Sequence, residues 1–116
     1  MTTQEMTAEE MDRMATAHLH DKIRGMLNTI ITEDHDNLVV VETKTNRYVF
    51  GYVDSDDNRD DRITISIFGP GTDLYLRAPA TMFDSMYHTN RITFFVVDDW
   101  FFTIKTKDVV EVRYNQ

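Results

Sequence analysis

LVVVETKTNRYVFGYVD, residues 38–54, is where the chain changes its rhythm. Upstream, apolar residues recur every three or four positions. Here β-branched and aromatic residues crowd together and the period becomes two. Two strands, LVVVETK and RYVFGYVD, meet at Thr45-Asn46, and Asn tolerates the left-handed backbone that a tight hairpin needs. RITISIF, residues 62–68, alternates again, with Ile63, Ile65 and Ile67 on one side and Thr64 and Ser66 on the other. GPGT then demands a turn, and DLYLRA follows as a short strand. RITFFVV and WFFTIKT form a second hairpin around Asp98-Asp99, and DVVEVRY closes the β-rich part. APATMFDSMYHT has no clean period: Pro79 opposes a strand interior, and Thr81 suits the cap of a single helical turn.

Before residue 38 the pattern is helical. Thr7 and Glu10 have the spacing of a capping box. Met11, Met14, Ala15, Leu19, Ile23, Met26, Leu27, Ile30 and Ile31 make one apolar stripe, with Asp12, Arg13, Asp21, Lys22 and Arg24 mostly off it. Gly25 weakens the helix modestly, and TEDHDN ends it near Thr32. Residues 1–6 are expected to fray. The expectation is one α+β domain over residues 1–116, with an amphipathic helix at 7–32. The helix packs on a β-rich part at 37–116, a small, strongly bent antiparallel sheet or barrel of five to seven strands.

Composition narrows the function. The 116 residues suit a single core. The absence of cysteine excludes disulfides, thiol nucleophiles and Cys-ligated zinc. No apolar run is long enough to span a bilayer, and MTTQEMTAEEMDR is polar and acidic where a signal peptide starts basic and turns apolar. A soluble cytoplasmic protein without membrane contact is expected. The 20 acidic and 12 basic residues leave a net charge of −8. Such a surface repels phosphate backbones, so nucleic acid is an unlikely ligand and a protein with a basic surface a better match.

Part of the spacing resembles that of Sm-like proteins. In that family's first motif a Gly is followed two residues later by an apolar residue and six residues later by Asp. Four residues further on stands Asn, and then a strand. Gly51, Val53, Asp57, Asp61 and ITISI occupy those offsets. Asp56 stands where the family has an aromatic, Asp60 where it has an apolar residue, and Asp61 replaces the Asn. The second motif, an Arg-Gly pair between apolar residues, has no counterpart. The resemblance covers roughly 30 residues. It implies an SH3-like or Sm-like barrel, and it does not carry uridine binding over. The ending FFTIKTKDVVEVRY is similar to the way small SH3-like barrels finish.

The densest chemistry is acidic. Asp54, Asp56, Asp57, Asp60 and Asp61 fall within eight positions between two strands. As an EF-hand loop from Asp54 they fail, because Arg59 stands where Gly must turn the chain and Ile65 where the bidentate Glu belongs. No metal site or cofactor is expected. A solvated hairpin is the ordinary reading of such a loop. The functional one is a surface for Lys and Arg on a partner, extended by Glu33, Asp34 and Asp36, by Asp98 and Asp99, and by Trp100 beside them.

Other candidates are weaker. His18 and His20 point about 200° apart on a helix and cannot share a metal. His35 sits among Glu33, Asp34 and Asp36. Tyr87-His88 with Asp84 lacks a nucleophile motif. GPGT has neither Lys nor a following helix to cradle a phosphate. Phe94, Phe95, Trp100, Phe101 and Phe102 crowd one hairpin, and covering on both faces is the plainer expectation, with self-association next.

The reading is therefore a non-enzymatic, acidic interaction protein that modulates or inhibits a basic-surfaced partner, most plausibly a nucleic-acid-handling one. Small size and the missing catalytic constellation suit a phage or mobile-element (viral) origin. Three alternatives stand beside it. They are an Sm-like or SH3-like nucleic-acid-binding module using Arg47, Tyr48, Arg62, Arg77 and Arg91, a structural subunit of an oligomer (a homo-oligomer or a virion), and a divalent-metal binder or small enzyme.

Overall fold

A computed structural model describes residues 7–53, 62–79, 84–97 and 100–115. The acidic run at 54–61, the 98–99 turn and the supposed cap at Thr81 lie outside the described residues. Helix α1, Ala8–Thr32, is capped as expected: the Glu10 N–H donates to Thr7 Oγ1 at 3.1 Å. Eight strands follow. They are β1 Leu38–Thr43, β2 Arg47–Val53, β3 Arg62–Gly69, β4 Thr72–Pro79, β5 Asp84–Tyr87, β6 Arg91–Val97, β7 Trp100–Lys105 and β8 Val109–Asn115.

The architecture is α+β, with a correction. The strands do not close into a barrel. They form two antiparallel sheets, one ordered β4-β3-β2-β1-β8 and one ordered β5-β6-β7. The cause is where β8 goes. It passes over its sequence neighbour β7 and pairs with β1, from Leu38↔Asn115 to Thr43↔Val109. The β5–β7 meander is left as a sheet of its own. β5 lies inside the segment without a clean period, and β4 ends at Pro79, where the ring removes a ladder donor.

Strand alternation puts the apolar side chains between the layers. Val39 and Val41, Tyr48 and Phe50, and Ile63, Ile65 and Ile67 form one wall. Ile92, Phe94 and Ile104 from the second sheet face it. The helix adds Ile23, Met26, Leu27 and Ile30 and touches β1, β2, β5 and β6. Aromatic rings join the layers: Phe94 stacks on Phe102 with centroids 4.9 Å apart and meets Phe50 at 5.7 Å.

The buried face of α1 is not quite the apolar stripe. Met11 and Met14 are exposed, and their places against the fold go to Thr16 and His20, which are buried. The steps 16, 20, 23, 27 and 30 keep helical spacing. The stripe thus overhangs the sheets at its N-terminal end.

Tight turns gather at one end of the molecule. Thr43 Oγ1 accepts the Asn46 N–H at 2.9 Å, so the β1–β2 turn is held by Thr43 as well as by Asn46. Gly71 has φ +72°, a left-handed value that glycine adopts without penalty, and it completes the turn after Pro70. A Cβ on Gly69 would collide with the Asn46 side chain, so the β3–β4 turn lies directly on the β1–β2 turn.

Tyr48 is buried in this core with its ring stacked on Phe102 at 5.3 Å. Burial raises its phenol above the ordinary value of 10.0, the Asp108 carboxylate adds to the rise, and a hydrogen bond from Asn46 opposes it. Above about pH 10 the unfolded chain releases this proton while the folded chain keeps it. The stabilisation is complete below that pH and is lost as pH climbs through the raised folded value. Thermal melts between about pH 9 and about pH 11 should show a steeper fall for the wild type than for Tyr48→Phe.

Candidate interaction surfaces

Two ends of the molecule differ in what they offer. At the end where α1 stops, the connection to β1 is a built turn. The Glu33 and Asp34 N–H groups donate to Thr29 O at 2.9 Å, and buried Asn37 donates to the Asp34 carboxylate at 3.1 Å. His35 Nε2–H donates to Ile31 O at 2.9 Å and its ring stacks on Tyr52, centroids 3.8 Å apart. Glu33 and Asp36 face solvent, while Asp34 is half-buried.

Described residues that flank the other acidic segments lie toward the same end. Leu38, the first residue of β1, pairs with Gly51, so β2 finishes beside the 33–37 turn. Val53 and Arg62, which flank residues 54–61, pair with each other there. In the second sheet, β5 runs from Arg24 back toward Thr16. Arg24 reaches Asp84 at 3.3 Å, His20 bonds Ser85, and Thr16 bonds Thr89. Asp84 pairs with Phe95 and Val97 with Trp100, so β6 ends and β7 begins beyond Asp84 in the direction of the helix C-terminus. Trp100 itself is half-buried, its ring 5.6 Å from that of Phe102.

The opposite end is tied together by hydrogen bonds. Lys44 N–H donates to Asp108 O at 2.9 Å and Thr106 N–H to Asn90 O at 2.9 Å. Thr16 Oγ1 is the knot. It lies 2.7 Å from Asp12 O, 2.8 Å from Thr89 O and 2.7 Å from Thr106 Oγ1. The carbonyls only accept, so the Thr16 proton goes to them and the Thr106 hydroxyl donates. One polar side chain thereby joins α1, the β5–β6 turn and the Thr106–Asp108 3-10 turn. Thr16→Val keeps the shape and strands those partners. A loss of about 1–3 kcal/mol in urea denaturation is expected, the cost of leaving buried polar groups unpaired.

Aromatic residues of the second hairpin divide by face. Phe94 and Phe102 point into the core, whereas Phe95 and Phe101 are exposed and meet each other at 6.3 Å. Covering on both faces is therefore corrected for these two rings, because α1 packs on the inner side only. Of the residues expected to read nucleic acid, Tyr48 is buried and Arg91 stands on the second sheet, whereas Arg47, over the Phe68 ring at 5.0 Å, and Arg77 lie on the outer face of the first sheet.

Sequence reasoning passed over one pair. His20 Nε2 lies 3.0 Å from Ser85 Oγ, and Asp21 Oδ1 lies 3.7 Å from His20 Nδ1. The order looks like a nucleophile, a base and an orienting acid. The geometry does not work as one. Ser85 and His20 are buried, Asp21 is solvent-facing, and its oxygen is beyond hydrogen-bond range. The pair fixes β5 to α1. The step from Thr16 to His20 at i and i+4 was a legible hint that both face inward.

Among the described residues no group of three His, Cys, Asp or Glu is placed to hold a metal ion, and no helix is long and apolar enough to cross a membrane. Comparison with protein-family models, curated proteins and solved structures finds no match.

Proposed function

We propose that this chain is a non-enzymatic interaction protein that captures a partner with a basic surface through the carboxylate-rich end of the fold. One observation carries the reading. The described strand ends that flank 54–61 and 98–99 lie toward the helix C-terminus, where residues 33–36 also sit, and these three segments hold ten of the chain's 20 acidic residues. Charges of one sign gathered at a tip repel one another, and they steer an oppositely charged partner from a distance. Nucleic-acid-handling proteins are the natural class of partner, because their function requires large cationic faces. The partner's occupancy would be one of modulation or inhibition, since it covers the face that phosphate would otherwise use.

The test is a pull-down from cell extract, read by mass spectrometry. The captured set should be rich in basic proteins and should be lost when Asp54, Asp56, Asp57, Asp60 and Asp61 are all changed to Asn. It should also be lost as salt approaches about 1 M, where screening shortens to about 3 Å.

A further inference from the structure

Arg91, Lys105 and Lys107 line a cavity of about 170 Å³ together with Asn90, at the end of the molecule away from the acidic segments. Arg91 and Lys105 are direct cross-strand partners on β6 and β7. Like charges in that arrangement destabilise a sheet, and Lys107 adds a third. Elsewhere Arg13, Arg24 and Arg113 each have a carboxylate within 4 Å. Among the described residues these three cations have none, a condition they share with Lys22, Lys44, Arg47 and Arg77, so it is their grouping around one cavity that sets them apart.

Hydrogen bonds hold the backbone beneath this cavity: Thr106 N–H bonds Asn90 O, His88 N–H bonds Arg91 O at 2.8 Å, and buried Thr16 binds both Thr89 and Thr106. The Arg91, Lys105 and Lys107 side chains themselves are exposed, and a ligand orders them on binding. The cavity's volume corresponds to about five waters of liquid, enough for a tetrahedral oxyanion. All three charged side chains donate and none accepts. A single carboxylate would neutralise only part of this charge, whereas a phosphoryl group carries about −1.5 to −2 and offers three acceptor oxygens to the Arg fork and the Lys ammoniums.

We propose that this cavity binds a phosphate-sized oxyanion, as free phosphate or as the phosphoryl group of a phosphomonoester. The negative net charge does not forbid it. β6 alone separates Arg91 from the 98–99 turn by roughly 20 Å at about 3.4 Å per residue, well beyond the Debye length of about 8 Å in physiological salt. The site is independent of the acidic end and of what that end captures.

The experiment is an amide-resolved NMR titration of the full chain with inorganic phosphate at constant ionic strength, with chloride as reference and phosphoserine as a second ligand. Saturable shifts are expected at Asn90, Arg91, Lys105, Thr106 and Lys107. The double variant Arg91→Gln with Lys107→Gln should bind at least tenfold more weakly, and the single Lys107→Gln, the milder change, should weaken binding measurably. The control pair Lys22→Gln with Arg77→Gln, both exposed and outside the cavity lining, should bind as the wild type does. Binding of both ligands assigns the site to phosphomonoesters, and binding of phosphate alone assigns it to the free ion. Drift without saturation in the wild type would overturn the site, as would an equal loss in the control pair.

Discussion

Changing Phe94 to alanine should remove about 3–5 kcal/mol of stability, among the largest losses a single substitution causes. The side chain is completely buried, stacked on Phe102 and in contact with Phe50 across the gap between the sheets. Its deletion costs the transfer energy of the ring and leaves a cavity that two facing sheets cannot collapse to fill. Domains of this size are stable by about 5–15 kcal/mol in all. The variant should therefore sit near its unfolding midpoint at modest urea. Phe101→Ala is the control. Its ring is 59% exposed on the outer side of the same sheet, and a change within about 0.5 kcal/mol is expected there. Equal losses at the two positions would mean that the second sheet does not pack as described.

Neutralising the five aspartates at 54–61 should produce the largest functional change. An exposed charge pair is worth about 0.2–1 kcal/mol. Five of them together amount to roughly 1–5 kcal/mol, or about a fivefold to several-thousandfold rise in Kd. In the upper half of that range a partner held at micromolar affinity no longer survives washing. Folding should be unaffected or slightly favoured, because repulsion among the carboxylates is relieved. The two readouts separate cleanly: a melting temperature at or above the wild type, with capture lost. Retained capture by a well-folded variant would remove the loop from the mechanism.

The local parts of this fold were legible because local rules govern them. Thr7 and Glu10 mark the helix start, Ile63, Ile65 and Ile67 face the core as alternation requires, and Pro70-Gly71 turns the chain. What escaped depends on partners far away in sequence. Thr16 and His20 read as breaks in an apolar stripe, but Thr89 and Thr106 partner Thr16, and Ser85 partners His20 Nε2, from 65 to 90 residues away. β5 was obscured because only Ser85 of its four residues is buried and Pro79 precedes it closely. The acidic segments were visible as composition. That the described strand ends flanking them point the same way follows from strand register, which the pattern of residues does not encode. The Arg91, Lys105 and Lys107 group was invisible for the same reason, since a 3-10 turn and two strands bring it together.

The pairing of β8 with β1 bears on how such a chain is born. β1 is an inner strand of its sheet, yet one of its two neighbours is made of residues 109–115. During synthesis the backbone groups of Leu38–Thr43 that face β8, unlike those paired with β2, wait while residues 44–108 leave the ribosome. Long-range closure of this kind is slow and leaves nascent molecules prone to sticking together. Cells making the protein quickly would need either dilution or a chaperone to bridge the interval.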